Sequence, residues 1–504
     1  MSISLLLDMA ASSAPDRVAV VSDDVRWTAG ELNTLTEGGA GVIQASGART
    51  VAYVGTGGAL LPLLIFSAAR AGVPFAPLNY RLSGPKLREL IDRLEDPLLI
   101  CDADYVDSTG GFDGKLLRSE DFVAAAATAD PVSLMPDPEE VAILLFTSGT
   151  TSAPKAVELS HNNLVSYITG TVDFESAAPD DVALICVPPY HVAGVGAALS
   201  NLYAGRKMVY LRNFDAARWI RLVAQERVTT ATVVPTMLDR IVTELRDTGT
   251  TLPTLRNLAY GGSKVPLPLV RTALDLLPEV GFVNAYGLTE TSSTIAVLGP
   301  DDHRAARASA DPAVVRRLGS VGRPVPGIEV QIRDEQGREV EPDEPGELFV
   351  RGAQVSGKYS GIGSVLDADG WFPTRDVAVL DAEGYLFIGG RSDDTIIRGG
   401  ENIAPAEIED VLVEHPAVRE VAVVGVEDPS WGQIIVAVVV PEPGVEPDVE
   451  ALRAHVRGSL RGSRTPDRVV FRAELPVTPT GKVLRRVLVD ELALDAAVGG
   501  AAGQ

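Results

Sequence analysis

"TVAYVGTGGALLPLLIFSAARAGVPFAPLNYRLSGPKLRELIDRLEDPLLICD", residues 50–102, decides how the chain folds. It opens on a β-rich run at 50–55 and continues into an alanine- and leucine-rich helical segment ending near Ala71. A second helical pattern covers 83–95, and a strand-like run closes the stretch at 97–102. Ser83 suits the N-cap of the second helix and Pro85 its first turn. Strand and helix alternating in this way predict an α/β fold with a doubly wound, largely parallel sheet. Similar units recur at 181–187, 207–211, 229–234, 256–260 and 281–285, without a fixed repeat period.

At 504 residues the chain exceeds what one hydrophobic core usually supports, so at least two domains are expected. From about Gly319 the grammar changes to short strand-turn pieces such as "GELFVRG" (346–352), which predict an antiparallel sheet or small barrel over about 319–392. An α+β pattern follows: a helix from Pro405, strands in "EVAVVGVED" and "GQIIVAVVVPE", and a helix near 447–460. The expected division is therefore a large N-terminal domain of doubly wound sheets with a β-barrel-like subdomain, 1–392, and a small mobile α+β domain, 393–504.

The charge narrows the partners. Lys+Arg 44 against Asp+Glu 68 gives −24, a poor basis for binding nucleic acid or an anionic membrane. Any phosphate must be held by local groups against the overall field. Cys101 and Cys186 sit in apolar runs and read as reduced, buried residues. The five histidines lack metal-ligand spacing. No basic leader precedes Asp8, and the longest apolar stretch, Ala59 to Ala69, contains Pro62 and is too short to span a bilayer. A cytoplasmic protein without a transmembrane segment is expected; its oligomeric state is not legible.

"LLFTSGTTSAPKAV" (144–157) passes from a strand into hydroxyls, a glycine and one lysine. Backbone N–H groups in such a turn form a nest for an anion, hydroxyls add donors, and Lys155 adds a point charge. Alone, the segment reads equally as a solvated loop. The Walker pattern is absent, because Pro154 and not glycine precedes Lys155.

The loop has company. "TSGTTSAPKAV" resembles the phosphate-binding signature of the acyl-adenylating superfamily, which includes acyl-CoA synthetases of the fatty-acid–CoA ligase type. The resemblance recurs in "APLNYRLS" (76–83), "PPYHVAG" (188–194), "NAYGLTET" (284–291), "GELFVRG" and "DGWFPTRD" (369–376). It ends with "GRSDDTIIRGGENIAPAEIE" (390–409) and "PVTPTGKVLRR" (476–486), so it covers nearly the whole chain. It implies an AMP-forming acid–thiol ligase. A carboxylic acid and ATP give acyl-AMP and pyrophosphate, and CoA then takes the acyl group.

The resemblance also implies roles. Thr147, Ser148, Gly149, Thr150, Thr151 and Lys155 would cradle the β- and γ-phosphates. Glu290 would ligate Mg²⁺ and Thr289 contact the α-phosphate. Lys482 would bridge the α-phosphate and the acyl carboxylate, which His191 would orient. Asp376 would hold the ribose hydroxyls with help from Arg391, while Gly261, Gly262, Ser263 and Tyr286 line the adenine pocket. Asp393 would be the hinge that withdraws Lys482 and brings Gly399 and Gly400 to the pantetheine tunnel. Trp431 reads either as a contact for the CoA adenine or as a packing residue.

Three positions depart from the family's common pattern: Ser152, Ala156 and Arg375 stand where glycines are usual. The segment "RGSRTP" (461–466) lacks an aromatic–lysine pair, leaving Arg461, Arg464 and Arg468 as substitutes for contacting CoA phosphate. The acyl site is expected from His191, 231–237, 260–263 and 284–294. "HVAGVGAAL" is small and apolar, and "FVNAYGLTETSS" holds no arginine for a second carboxylate, which favours a fatty, aryl or ring-bearing acid over a malonate-type diacid. Two alternatives remain open: an acyl-AMP ligase that loads a carrier protein, and a degenerate nucleotide-binding protein without catalysis.

Overall fold

The computed structural model describes residues 1–147, 154–428, 430–478 and 481–501, with side chains to Ala493. The opening stretch forms strand Thr50–Val54, helix Leu60–Ala71, strand Phe75–Leu78, helix Gly84–Ile91 and strand Pro97–Cys101. Its three strands run parallel, Thr50–Val54 in the middle. Ser83 takes the extended N-cap conformation without a side-chain cap bond, and Pro85 lies in the first turn. The strands belong to an eight-stranded sheet, whose order across the sheet continues from Phe75–Leu78 to Val141–Thr147 and Lys155–Ser160.

A nine-stranded sheet carries the other predicted units. Strands Lys207–Tyr210, Val182–Ile185, Thr230–Val233, Asn257–Gly261 and Gly281–Leu288 are parallel neighbours in that order. Its edges turn antiparallel, at Val25–Thr28 and at Ser293–Leu298. Both sheets are covered on both faces, as their β-branched and apolar strands require. In Thr50–Val54, Val51 and Tyr53 join a core shared with the nine-stranded sheet, while Ala52 and Val54 face a second core under helix Gly84–Ile91.

Helix Leu60–Ala71 lies in the shared core and is buried on every side, which is why it is apolar around its whole circumference. Ser67 and Arg70 are the exceptions, and Arg70, the one charged residue, is 1% exposed. Its guanidinium donates to Asp8 Oδ1 (2.6 Å), Asn33 Oδ1 (2.6 Å) and Ser133 Oγ (2.8 Å), so a buried cation ties three segments to the central helix. Helix Ala29–Ser46, which supplies Asn33, is fixed at its start by a Thr28–Glu31 capping box and at its end by Gly47 in the left-handed region.

The turn-rich segment forms a four-stranded antiparallel sheet: Glu329–Arg333, Pro345–Arg351, Phe372–Leu380 and Leu386–Arg391. The C-terminal segment folds around Val418–Asp428 and Gly432–Pro441, a long antiparallel pair. Helices Pro405–Leu412 and Val449–Ser459 cover one face, and residues of Arg485–Ala501 pack on the other. Pro405 stands at the start of its helix, as expected. Cys101 and Cys186 are free and buried. Among the described residues no helix is long and apolar enough to cross a membrane.

Arg70→Ala should destabilise the fold by about 3–5 kcal/mol, because it strands Asp8, Asn33 and Ser133 around a cavity. Denaturant unfolding of the variant against the parent measures this; a loss below about 1 kcal/mol, within the range of a surface substitution, would refute the anchoring role.

Candidate active site

The site forms where the nine-stranded sheet, the antiparallel sheet and the C-terminal segment meet. Asp376, 5% exposed, is brought there by strand Phe372–Leu380, and Arg391 by the neighbouring strand Leu386–Arg391, directly opposite in register. Tyr286 arrives from Gly281–Leu288 and donates its hydroxyl to Asp376 Oδ2 at 2.5 Å. Arg391 donates to Asp376 Oδ1 (3.2 Å) and to the Thr374 carbonyl (3.0 Å). Burial raises the Asp376 pKa, while Arg391, Tyr286 and Lys482 oppose the rise. Burial and the Asp376 charge push the Tyr286 phenol well up, so it stays a donor.

On the strand next to that of Tyr286 the chain comes close to itself. A Cβ on Gly261 would stand 2.1 Å from the Ala285 carbonyl oxygen, so only glycine fits between the two strands there. Two residues on, the Ser263 hydroxyl is buried and has no partner. An unsatisfied buried hydroxyl at the end of this strand suits a ligand that brings its own hydrogen-bonding groups.

Thr289 and Glu290 occupy a short 3-10 turn, Thr289–Thr291. The turn is held from behind. Thr291 Oγ1 donates toward the Leu288 and Ser293 carbonyls, and Gln354 Nε2 donates to the carbonyls of Thr291 (3.0 Å) and Thr294 (2.9 Å). Glu290 Oε1 accepts from the Tyr359 hydroxyl at 2.8 Å. The Lys155 ammonium lies over the same Tyr359 ring, 5.4 Å from its centre. Tyr359 thus links the two groups assigned to phosphate and to metal, and neither it nor Gln354 is legible from motif spacing.

Thr147 and Lys155 face each other across an antiparallel hairpin, Val141–Thr147 against Lys155–Ser160. The anion loop therefore joins two strands, unlike a Walker loop, which leads into a helix. Ser148, Gly149, Thr150, Thr151 and Ser152 lie outside the described residues. Ala156 is buried in regular strand opposite Phe146. Arg375, where the resemblance leads one to expect glycine, has a left-handed backbone, φ +63°. Its side chain pairs with Glu347 (3.7 Å), and its carbonyl accepts from Ser392 Oγ (3.2 Å).

His191 is the N-cap residue of helix Val192–Tyr203. One turn further, a Cβ on Gly196 would lie 3.7 Å from Ser293, three residues beyond Glu290, so the helix runs beside the Thr289–Glu290 turn. His191 Nε2 is buried without a partner. Burial first, and Arg81 second, lower its pKa to about 4, so the ring is neutral at pH 7.

Lys482 reaches the site from the C-terminal segment. Its turn is closed by Lys482 N–H to Thr478 Oγ1 (3.0 Å), and a Cβ on Gly481 would press within 2.7 Å of Thr236. Although Lys482 is exposed as a residue, partial desolvation lowers the pKa of its ammonium; Arg391 adds to this and Asp376 opposes it. Lys264 pairs with Asp410 at 2.7 Å and closes the same seam.

Asp393 sits in a single turn, Ser392–Asp394, with fixed neighbours. Ser392 is bonded to the Arg375 carbonyl, whereas Asp394 pairs with Arg485 (3.4 Å). Arg485 is itself held by Glu409 (2.5 and 2.9 Å) within the C-terminal segment. Gly399 and Gly400 form a separate cluster with Trp431. The glycines make a left-handed hairpin turn, Gly399 N–H donates to the Trp431 carbonyl (2.8 Å), and Arg398 lies over the half-exposed Trp431 ring at 4.5 Å. Arg464, a candidate for CoA phosphate, is engaged by Glu401 (2.5 Å) and Glu407 (3.4 Å).

Comparison with known proteins places this geometry. The sequence matches the family described as AMP-binding enzyme over residues 7–360 and the AMP-binding enzyme C-terminal domain over 407–482. It is 35% identical over 484 residues to a feruloyl-CoA synthase of an Amycolatopsis species, covering 94% of this chain and 96% of the relative. The fold is similar to that of o-succinylbenzoate CoA synthetase (MenE) from Bacillus subtilis in complex with its acyl-adenylate intermediate. There the TM-score is 0.83 at 28% identity, covering 96% of this chain and 97% of that one. ATP-bound MatB from Rhodopseudomonas palustris gives a TM-score of 0.87 at 27% identity, covering 97% and 99%.

Two buried histidines make stability depend on pH. His161 and His191 both have pKa values lowered to about 4, chiefly by burial, against roughly 6.5 in an unfolded chain. Between those values the unfolded chain binds protons that the native state does not, so this contribution to stability falls as pH drops from 6.5 toward 4. Urea midpoints at pH 7 and pH 5 should show a smaller fall in a His161→Gln, His191→Gln double variant than in the parent. An equal fall would exclude these two groups as its source.

Proposed function

This chain belongs to the AMP-binding enzyme family and is an AMP-forming acid–thiol (CoA) ligase acting on an aromatic or other organic acid, and from that premise we propose that its acid is apolar and ring-bearing, activated by the residues gathered around Asp376 and Lys482. The observation that carries the reading is the convergence of Tyr286, Arg391 and Lys482, from three parts of the fold, on the buried carboxylate of Asp376.

In this reading Asp376 accepts from both ribose hydroxyls, Arg391 keeps the carboxylate ionised, and Ser263 gives its unpartnered hydroxyl to the adenine ring. Two anions must then meet, the acid's carboxylate and the triphosphate, so their repulsion has to be screened. Thr147 and Lys155 flank the loop that would hold the β- and γ-phosphates, with Ser148, Gly149, Thr150 and Thr151. Thr289 would contact the α-phosphate. Glu290 keeps a carboxylate oxygen beyond its Tyr359 bond, and a single protein carboxylate suits Mg²⁺, which is held mainly by substrate phosphates and water. Mg²⁺ there would neutralise phosphate charge.

The acid's carboxylate oxygen attacks the α-phosphorus and pyrophosphate leaves; Lys482 lies where charge builds between them. The CoA sulfur then attacks the acyl carbon, AMP leaves and the thiol proton passes to solvent. Residues 1–392 and 393–504 are taken as the two moving parts, with Asp393 as the pivot. The ties of Ser392 to one side and of Asp394 to the other support that choice. Rotation would exchange Lys482 for the Gly399–Gly400 hairpin, and Trp431 beside it offers a ring face to the CoA adenine. The ring preference rests on the apolar start of helix Val192–Tyr203 and on the aromatic acids in the names of the relatives.

Acid-dependent ATP–pyrophosphate exchange with ferulate, indole-3-acetate, benzoate and octanoate tests the reading directly; a ring-bearing acid should be the fastest. Exchange with octanoate alone would refute the ring preference, and exchange with none would refute acid activation. Lys482→Ala should lower the exchange by about 100-fold or more while sparing thioester formation from supplied acyl-AMP. Asp393→Pro should do the reverse, retaining exchange and losing most transfer to CoA; unchanged CoA turnover would exclude it as the pivot.

A further inference from the structure

Arg93 is an exposed cation that the reactions above do not use. It follows helix Gly84–Ile91, and the carboxylates nearest to it in sequence are engaged elsewhere, Asp92 with Arg88 (2.7 Å) and Glu95 with Arg49 (3.0 Å). Its guanidinium instead meets both roots of the anion loop. The guanidinium carbon lies over the Phe146 ring, 5.3 Å from its centre, and Nη1 donates to the Pro154 carbonyl. Phe146 immediately precedes Thr147, and Pro154 immediately precedes Lys155. One side chain from another part of the sheet thus joins the residue before the loop to the residue that ends it.

Side chains alternate between the two faces of this hairpin. Leu145 and Val157 lie in the core shared with the nine-stranded sheet, whereas Leu144 and Phe146 pack on the core under helix Gly84–Ile91. Residues directly opposite in register share a face, so Ala156 lies with Phe146, while Thr147 and Lys155 lie on the other side with Tyr359. Arg93 therefore grips the hairpin from behind, away from the groups that would meet the nucleotide. Ala156, where the resemblance leads one to expect glycine, is 3% exposed on this rear face, and its methyl group restricts the backbone at the same root.

We propose that Arg93 is a positioning residue for the ATP phosphates: it clasps Phe146 to Pro154 and so fixes the spacing and direction of Thr147 and Lys155 before the nucleotide arrives. The inference rests on the reading of this loop as the holder of the β- and γ-phosphates. It adds a residue that lies outside every motif carrying the resemblance. Ordering a loop at the moment of binding costs conformational entropy, and fixing its two ends beforehand lowers that cost. A guanidinium suits the task, because one planar group stacks on a ring and donates to a carbonyl at once. The gain falls on the polyphosphate, since other elements hold the nucleoside and the acid.

The test is calorimetric binding of ATP, pyrophosphate and AMP to the full chain in Mg²⁺ buffer, with ATP–pyrophosphate exchange measured beside it. AMP is the internal control, because it lacks the β- and γ-phosphates. Arg93→Ala should weaken ATP and pyrophosphate by about five- to ten-fold, the size expected for losing a charge-assisted hydrogen bond and an exposed cation–π contact, and leave AMP within about two-fold. In exchange, the KM for ATP should rise by a like factor while the KM for the acid stays unchanged. Arg93→Lys should recover part of the loss. Phe146→Leu, which keeps the apolar packing and removes the ring face, should reproduce part of it. Equal weakening of ATP and AMP would overturn the proposal by assigning Arg93 to general stability, and unchanged ATP and pyrophosphate binding in Arg93→Ala would overturn it outright. Lys155→Ala separates the two levels: if it also leaves both ligands unaffected, the phosphate reading of the loop fails, whereas a loss there with an indifferent Arg93→Ala removes only the clasp.

Discussion

Burying the Asp376 carboxylate is the physical problem on which the rest of the site depends. A carboxylate removed from water shifts its pKa upward and would lose its charge without partners. Here Tyr286 and Arg391 each take one oxygen, and Lys482 adds a cation from the C-terminal segment. Those three residues come from the nine-stranded sheet, the antiparallel sheet and the last turn of the C-terminal sheet region. The carboxylate therefore fixes how the parts of the chain must meet, in addition to its proposed role as acceptor for a nucleoside.

The same economy governs the seam between the parts. Lys264–Asp410 and the Gly481–Thr236 contact close it, while the covalent link runs through one short turn. On one side of Asp393 the anchor is a backbone carbonyl turned outward by Arg375 in a left-handed conformation. Such a backbone is strained for most residues but glycine, and here it presents the Arg375 carbonyl to Ser392 Oγ. On the other side the anchor is a half-buried arginine inside the C-terminal segment.

Much of this was legible in the sequence because it is local. The alternation across 50–102, the strands from 181 to 285, Pro405 at a helix start and the antiparallel segment after Gly319 each follow from patterns within one element. Asp376, Arg391 and Tyr286 were legible as a set only through the resemblance, and the structure brings them into contact. Other features depend on pairings across long separations, which periodicity does not encode. Tyr359 bonds Glu290 across 69 residues, Gln354 buttresses Thr291 across 63, and Arg485 holds Glu409 across 76.

Tyr359 illustrates what such a long-range pairing achieves. A lysine and a glutamate proposed here for a polyphosphate and a divalent metal attract each other, and left alone they would collapse into a self-quenching pair that a ligand must first prise apart. The Tyr359 ring carries the Lys155 ammonium on its face and its hydroxyl engages one Glu290 oxygen, and Lys155 and Glu290 form no ion pair with each other. A single aromatic side chain acts as an insulating spacer, keeping opposite charges poised at separate stations before any nucleotide arrives.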